Sequence, residues 1–283
     1  GLDAQGRDAQ AVAWSPDGTR MVSVGMDAMI RVWETPAFQP VATLPGHQKS
    51  VNSVVFSPDG DRIATCSTDG TARVWSFATG RPLHILAGQR MPRWSPDGRL
   101  LTTLGAPGRV SHWDGHSCEP IGGFKVADRR LLCLAFPPTE AELLVGGTGP
   151  IHRVRLHDGH PLGQLLGHGV AVTAMALSPD GSLLASTGAE GELRFWDTAS
   201  WQGVREVPLH AGGVLQLSWA PAGNRVAVSC DHVIQVVPVH AEGVVQRLEV
   251  GIKGLYGVAF SPDGQWLANA GADGRLRIWS FSE

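Results

Sequence analysis

The tetrapeptide Ser-Pro-Asp-Gly stands at Ser15–Gly18, Ser57–Gly60, Ser95–Gly98, Ser178–Gly181 and Ser261–Gly264. The steps between its serines are 42, 38, 83 and 83 residues. A motif returning about every 41 residues requires an array of like units, each too small to bury its own apolar face. The two long steps each hold a worn copy, Phe136-Pro-Pro-Thr-Glu140 and Trp219-Ala-Pro-Ala-Gly223. Seven units then cover essentially all 283 residues. The expectation is a single domain over 1–283, with units starting near 6, 46, 87, 124, 167, 209 and 251.

Each unit follows one grammar. An apolar run ends on an aromatic or leucine before the Pro turn: Trp14, Phe56, Trp94, Phe136, Leu177, Trp219 and Phe260. Alternating runs follow, such as Arg62-Ile-Ala-Thr-Cys-Ser67 and Ala72-Arg-Val-Trp75, parted by Asp69-Gly70. Alternation of period two bounded by Asp-Gly marks antiparallel hairpins. A fourth run, as in Pro82-Leu-His-Ile-Leu86, leads to the next unit. The chain holds 36 glycines and 19 prolines, consistent with many short strands and turns. With net charge −3 and no basic block, no nucleic-acid partner is expected. No apolar run approaches a membrane span, so no membrane association is expected either. Four cysteines without paired spacing suggest neither a disulfide framework nor zinc, and favour the cytoplasm.

Gly46-His47…Phe56-Ser-Pro-Asp-Gly60…Asp69-Gly70…Val74-Trp75 and Gly167-His168…Ser178-Pro-Asp-Gly181…Trp196-Asp197 resemble WD-repeat β-propellers. The resemblance extends over all seven units. The family's Trp position falls 19 residues after the aromatic and holds Trp33, Trp75, Trp113, Trp196 and Trp279. Arg155 and Pro238 occupy it in units four and six. The resemblance implies an all-β, seven-bladed propeller of four-stranded antiparallel blades. The N-terminal strand, Leu2 to Gln5, is expected to complete the last blade.

The resemblance also implies a buried relay of His, hydroxyl, Asp and Trp. Unit two carries His47, Thr65, Asp69 and Trp75; unit five carries His168, Ser186 and Trp196 with Glu190 for Asp. A catalytic triad is the competing reading of such a set, but anchorage to a structural Trp and partial recurrence favour the relay. The histidines at 152, 157 and 160 are expected as solvated turn and edge residues. Arg31, Arg73, Arg194 and Arg277, each two before a Trp, are expected to lay their stems on the sheet with their heads in water.

Partners of such propellers often contact the top rim, so the equivalent positions are the candidate binding residues. Four residues before each aromatic come Gln10, Asn52, Arg90, Leu132, Thr173, Leu215 and Tyr256; the second hairpin turn adds Met26 and Asp231 among others. Rim residues without structural duty ought to be polar. Tyr256, Met26, Leu132, Leu215 and Arg90 are instead of the kinds that anchor interfaces or stand out as apolar. Tyr256 and Met26 are expected to share an apolar patch between units seven and one. Unit three, short by about four residues near Gly88-Gln-Arg-Met-Pro92, is expected to notch the rim.

The expected function is a non-catalytic scaffold or sensor that binds a protein or peptide on the top rim, without cofactor or metal, as a monomeric propeller. The alternative is the regulatory domain of a larger bacterial signalling enzyme, with a propeller hydrolase the weaker option. Near-uniform Ser-Pro-Asp-Gly turns look like bacterial WD-repeat chains, and the absence of Met at position 1 fits excision from something longer.

Overall fold

The structure is a computed structural model that describes residues 2–3, 8–127, 130–139, 141–209, 216–240 and 245–281. Among these residues the strands form seven separate four-stranded sheets, every pairing antiparallel. Blade two is representative. Val51–Phe56, Arg62–Ser67, Thr71–Ser76 and Pro82–Ala87 lie side by side in chain order. Burial falls outward: Ile63 and Trp75 are inaccessible, whereas Leu83 and Ile85 of the fourth strand are exposed.

The Ser-Pro-Asp-Gly turn explains why the first hairpin closes where it does. Ser57 Oγ donates to Asp59 Oδ1 at 2.5 Å and accepts from the Arg62 amide at 3.0 Å. Gly60 sits at φ +78°, where other residues are strained. A Cβ at Gly60 would lie 3.4 Å from Pro16 Cδ, in the preceding blade's turn. The contact repeats around the ring: Gly98 on Pro58, Gly181 on Pro138, Gly223 on Pro179, Gly264 on Pro221 and Gly18 on Pro262. The last of these joins blade one to blade seven. Unit four has no glycine in its turn, so the seam between blades three and four lacks this contact among the described residues.

The blades are glued by apolar side chains from neighbouring sheets. Ala11, Val22, Ile30 and Val32 of blade one meet Val51, Val54, Ile63 and Trp75 of blade two in one buried cluster. Each such valine or isoleucine contributes roughly 1.5–3 kcal/mol on burial. Indoles stitch the seams too: Trp14 Nε1 donates to Ala259 O at 3.1 Å, and Trp219 Nε1 to Ala176 O at 2.9 Å.

Closure is by the N terminus. Leu2–Asp3 pairs with Arg275–Ser280, with Leu2 opposite Leu276, and supplies the outer strand of blade seven. The rest of the expected closing segment, through Gln5, lies outside the described residues. No helix among the described residues is long and apolar enough to cross a membrane. The seven innermost strands surround a channel, with the Pro turns at one end and the residues near Gln10, Asn52 and Tyr256 at the other.

Candidate functional site

In blade two His47 Nδ1 lies 2.9 Å from Asp69 Oδ2, and His47 Nε2 lies 2.8 Å from Thr65 Oγ1. Trp75 Nε1 donates to the same Thr65 oxygen at 2.9 Å. The chain of donors runs one way: indole to hydroxyl, hydroxyl to Nε2, and Nδ1–H to carboxylate. Burial lowers the pKa of His47, and Asp69 offsets this only in part. Asp69 is itself resisted by burial, yet bonds from Thr71, the Gln48 amide and His47 hold it far below the ordinary carboxylate range. The histidine is thus neutral and the aspartate ionised near pH 7. Thr65 and Trp75 are both fully buried, so a substrate has no route to the hydroxyl.

Gly46 is part of this device. A Cβ there would come within 2.6 Å of Trp75 Cη2, so the Gly of Gly-His makes room for the indole. Gly167 plays the same part against Trp196, at 3.1 Å.

Blade five corrects the expectation for Glu190. His168 Nε2 meets Ser186 Oγ at 2.7 Å and Trp196 Nε1 donates to that oxygen at 2.8 Å, but the acid on His168 Nδ1 is Glu192, at 2.6 Å. Glu190 occupies the turn position that suits the short arm of Asp and is exposed. Glu192 opens the third strand, where Thr71 stands in blade two, and its longer arm brings the carboxylate back over the ring. The relay also persists in part beyond these two units. Trp33 Nε1 donates to Ser23 Oγ at 2.9 Å, and Trp113 Nε1 to Thr103 Oγ1 at 2.8 Å. In blade three Gln89 Oε1 replaces the histidine and accepts from Thr103 at 2.8 Å.

The arginines two before each Trp do not hold their heads free in water. Arg31 pairs with Asp27 at 2.6 Å, Arg277 with Asp273 at 2.6 Å, Arg194 with Glu206 at 2.8 Å, and Arg73 faces Asp69 at 3.8 Å. For Arg31, Arg73 and Arg277 the carboxylate lies four residues back, at the hairpin turn, whereas Arg194 meets Glu206 across the ladder on the fourth strand.

At the end of the channel away from the Pro turns is an open cavity of about 420 Å³. It brings together Gln10, Asn52, Leu132, Thr173 and Tyr256 of the rim set. Arg90 and Met26, both exposed, and half-buried Asp231 lie outside it, and Leu215 lies outside the described residues. Tyr256 is half-buried; burial, then the charge of Asp8, raises its pKa. The Met26 amide donates to Asp8 O at 2.9 Å. Tyr256 thus lines the cavity while Met26 stands outside it.

Further down, a second cavity of about 480 Å³ is walled by Trp14, Phe56, Trp94, Phe136 and Leu177. Arg93 lines both cavities, at the waist of the channel. The rim positions in the sequence did not disclose it. The signal was one residue before each aromatic, where the other six units carry Ala13, Val55, Ala135, Ala176, Ser218 and Ala259.

A ring of seven four-stranded blades, closed by its own N terminus and opening through a central mouth, defines the class: a β-propeller. The family model for the WD domain, G-beta repeat, matches residues 5–34, 38–76, 159–197, 201–237 and 247–280, well over half of the chain. The chain belongs to the WD-repeat family. It is similar to Protein HIR1 of Cryptococcus neoformans, 23% identical over 269 residues, covering 93% of this chain and 25% of that protein. It is similar to Actin-interacting protein 1-2 of Arabidopsis thaliana, 29% identical over 199 residues, covering 66% of this chain and 31% of that protein. Small ribosomal subunit protein RACK1z of Oryza sativa is 34% identical over 126 residues, covering 42% of this chain and 37% of that protein. The chain thus spans between about a quarter and just over a third of the length of these relatives.

Proposed function

We propose that this propeller is a non-catalytic recognition module that binds a peptide segment of a partner protein at the channel mouth. The observation that carries the reading is the cavity lined by Gln10, Asn52, Leu132, Thr173 and Tyr256, which places apolar and aromatic anchors among amide and hydroxyl groups. Apolar anchors exclude water and contribute affinity, while the polar groups bond the backbone of an extended segment. The His–hydroxyl pairs that resemble hydrolytic machinery are buried in the blades and serve their stability. An actin-interacting relative supports a protein partner in general. Free, buried Cys66, Cys118, Cys133 and Cys230 support a reducing compartment such as the cytoplasm. The match to Protein HIR1, which covers 93% of this chain and 25% of that protein, supports a place in a longer chain, and the repeated Ser-Pro-Asp-Gly turns are the ground for reading that chain as a bacterial signalling protein.

The test is selection of a random, C-terminally amidated heptapeptide library on the propeller, followed by binding to a Leu132→Asp, Tyr256→Ala variant. The mouth reading expects the selected peptides to bind that variant at least tenfold more weakly, with its thermal midpoint unchanged. Equal affinity for both forms would overturn it.

A further inference from the structure

Arg93 is the one charged side chain at a position that six blades fill with alanine, valine or serine. Pairing with the second strand shifts register between Arg90 and Arg93, as it does at the equivalent place in blades one, two, four, five and seven, but only here, among the described first strands, does a residue of the bulge, Met91, take a left-handed φ, of +48°. A non-glycine residue in that region costs energy that the surrounding structure has to offset. Pro92 has no amide to return to the ladder, and Met91 and Arg93, two apart, both line the channel.

The guanidinium finds little to satisfy it there. Its one hydrogen bond among the described residues runs from Nη1 to Pro92 O, at 3.0 Å. The ionisable groups that bear on it are the thiols of Cys66 and Cys133. Burial pushes the Cys133 thiol up to about 12 and raises that of Cys66, so both stay neutral. Arginine keeps its charge at any physiological pH and carries five donors in a planar fork. Arg93 is half-buried; a cation partly withdrawn from water without a counter-charge is costly, and its neighbours in the ring show that a small side chain fits the same position.

We propose that the Arg93 guanidinium receives a carboxylate of the partner polypeptide, threaded through the mouth to the waist of the channel. The inference rests on the peptide-binding reading above and names the chemistry of the residue that enters. One cation balances one carboxylate, and the fork matches it in bidentate geometry. Leu132, Met91 and Met175 suit the methylene stem of an acidic side chain. A multiply charged phosphate suits the site poorly, because the chain is net negative and Asp8 and Asp231 lie near Tyr256 at the mouth.

The test uses the peptides selected on the propeller, each made as an acid and as its Glu→Gln or Asp→Asn partner, with free and amidated C-termini. Wild type is expected to bind the acid about tenfold or more tighter than the amide, and Arg93→Met to bind both alike. A preference that follows the free C-terminus assigns the carboxylate to the chain end; one that survives amidation assigns it to a side chain. Arg93→Met is expected to melt at or above the wild-type temperature, since it removes an unpaired charge. Mouth-binding peptides indifferent to the acid-to-amide change overturn the Arg93 inference alone. Displacement by inorganic phosphate but not by acetate also overturns it. A library that yields no peptide sensitive to Leu132→Asp, Tyr256→Ala overturns the mouth reading and this inference with it.

Discussion

Four of the five indoles at the Trp position are answered ten residues upstream: Trp33, Trp75, Trp113 and Trp196 donate to Ser23, Thr65, Thr103 and Ser186. Blade seven departs from this, because Asn269, ten residues before Trp279, donates to Gly257 O at 2.7 Å and leaves the buried indole N–H without a partner among the described residues. Where the tryptophan gives way to Arg155 or Pro238, the partner position becomes Val145 or Val228, both fully buried. In those two blades donor and acceptor are lost together, which leaves no buried hydroxyl without its indole. The acid of the relay follows the same logic. Glu192→Gln weakens the hold on His168, and unfolding should show a loss of about 1–2 kcal/mol, whereas Glu190→Gln at the exposed turn should change little. Equal effects would return the relay to Glu190. Acid sensitivity follows from the same histidines. Burial first of all lowers the pKa of His47, His112 and His168, so the unfolded chain binds more protons once the pH falls below about 6.5. Stability is therefore full above that pH and lost as the pH falls through it. The thermal midpoint should decline from about pH 6.5 downward, and less steeply in a His47→Gln, His168→Gln variant. An unchanged slope would exclude these histidines as the cause.

The Ser-Pro-Asp-Gly hairpin is the element that made the fold readable. Serine caps the returning amide, aspartate fixes the serine, and glycine turns the chain where a neighbouring proline comes close, so the motif signals strand ends and blade seams together. Context separates its glycines. At Gly181, φ +73°, a Cβ would lie 2.6 Å from Pro138 Cγ, while at Gly70, φ +87°, it would meet nothing within 4 Å. Both Ala variants bear the cost of a left-handed residue, about 1–2 kcal/mol, and Gly181→Ala should lose more because Pro138 has to move. Equal losses in denaturant unfolding would show that seam contacts between turns are slack. The mouth was less legible than the blades. Asn52, Leu132 and Tyr256 were found because strand spacing carries the rim position, but Arg93 was missed because its meaning lies in the contrast with small residues across seven units. Glu192 was hidden because side-chain length, not spacing, decides which acid reaches a histidine.

At the scale of the whole molecule the ring has one covalent break and closes it by pairing Leu2–Asp3 with the last blade. An unclosed propeller exposes a strand edge and frees the blade-one seam. Deleting residues 1–7 should lower the thermal midpoint by several degrees and promote association; unaltered melting would mean that side-chain packing between blades one and seven suffices. The ring is not uniform. Blades three and four fall between the matched repeats, lack the turn-to-turn contact at their seam, and bring Arg93 and Leu132 to the channel. The outer strands offer the competing surface, with Val41, Ile85, Ile121, Leu162 and Val204 exposed on the edges of blades one to five. Amide chemical-shift mapping of a selected peptide on the isotope-labelled propeller distinguishes the two directly. The account predicts shifts that converge on Gln10, Asn52, Leu132, Thr173 and Tyr256 around the mouth. Shifts confined to the outer strands, with the mouth silent, would contradict it.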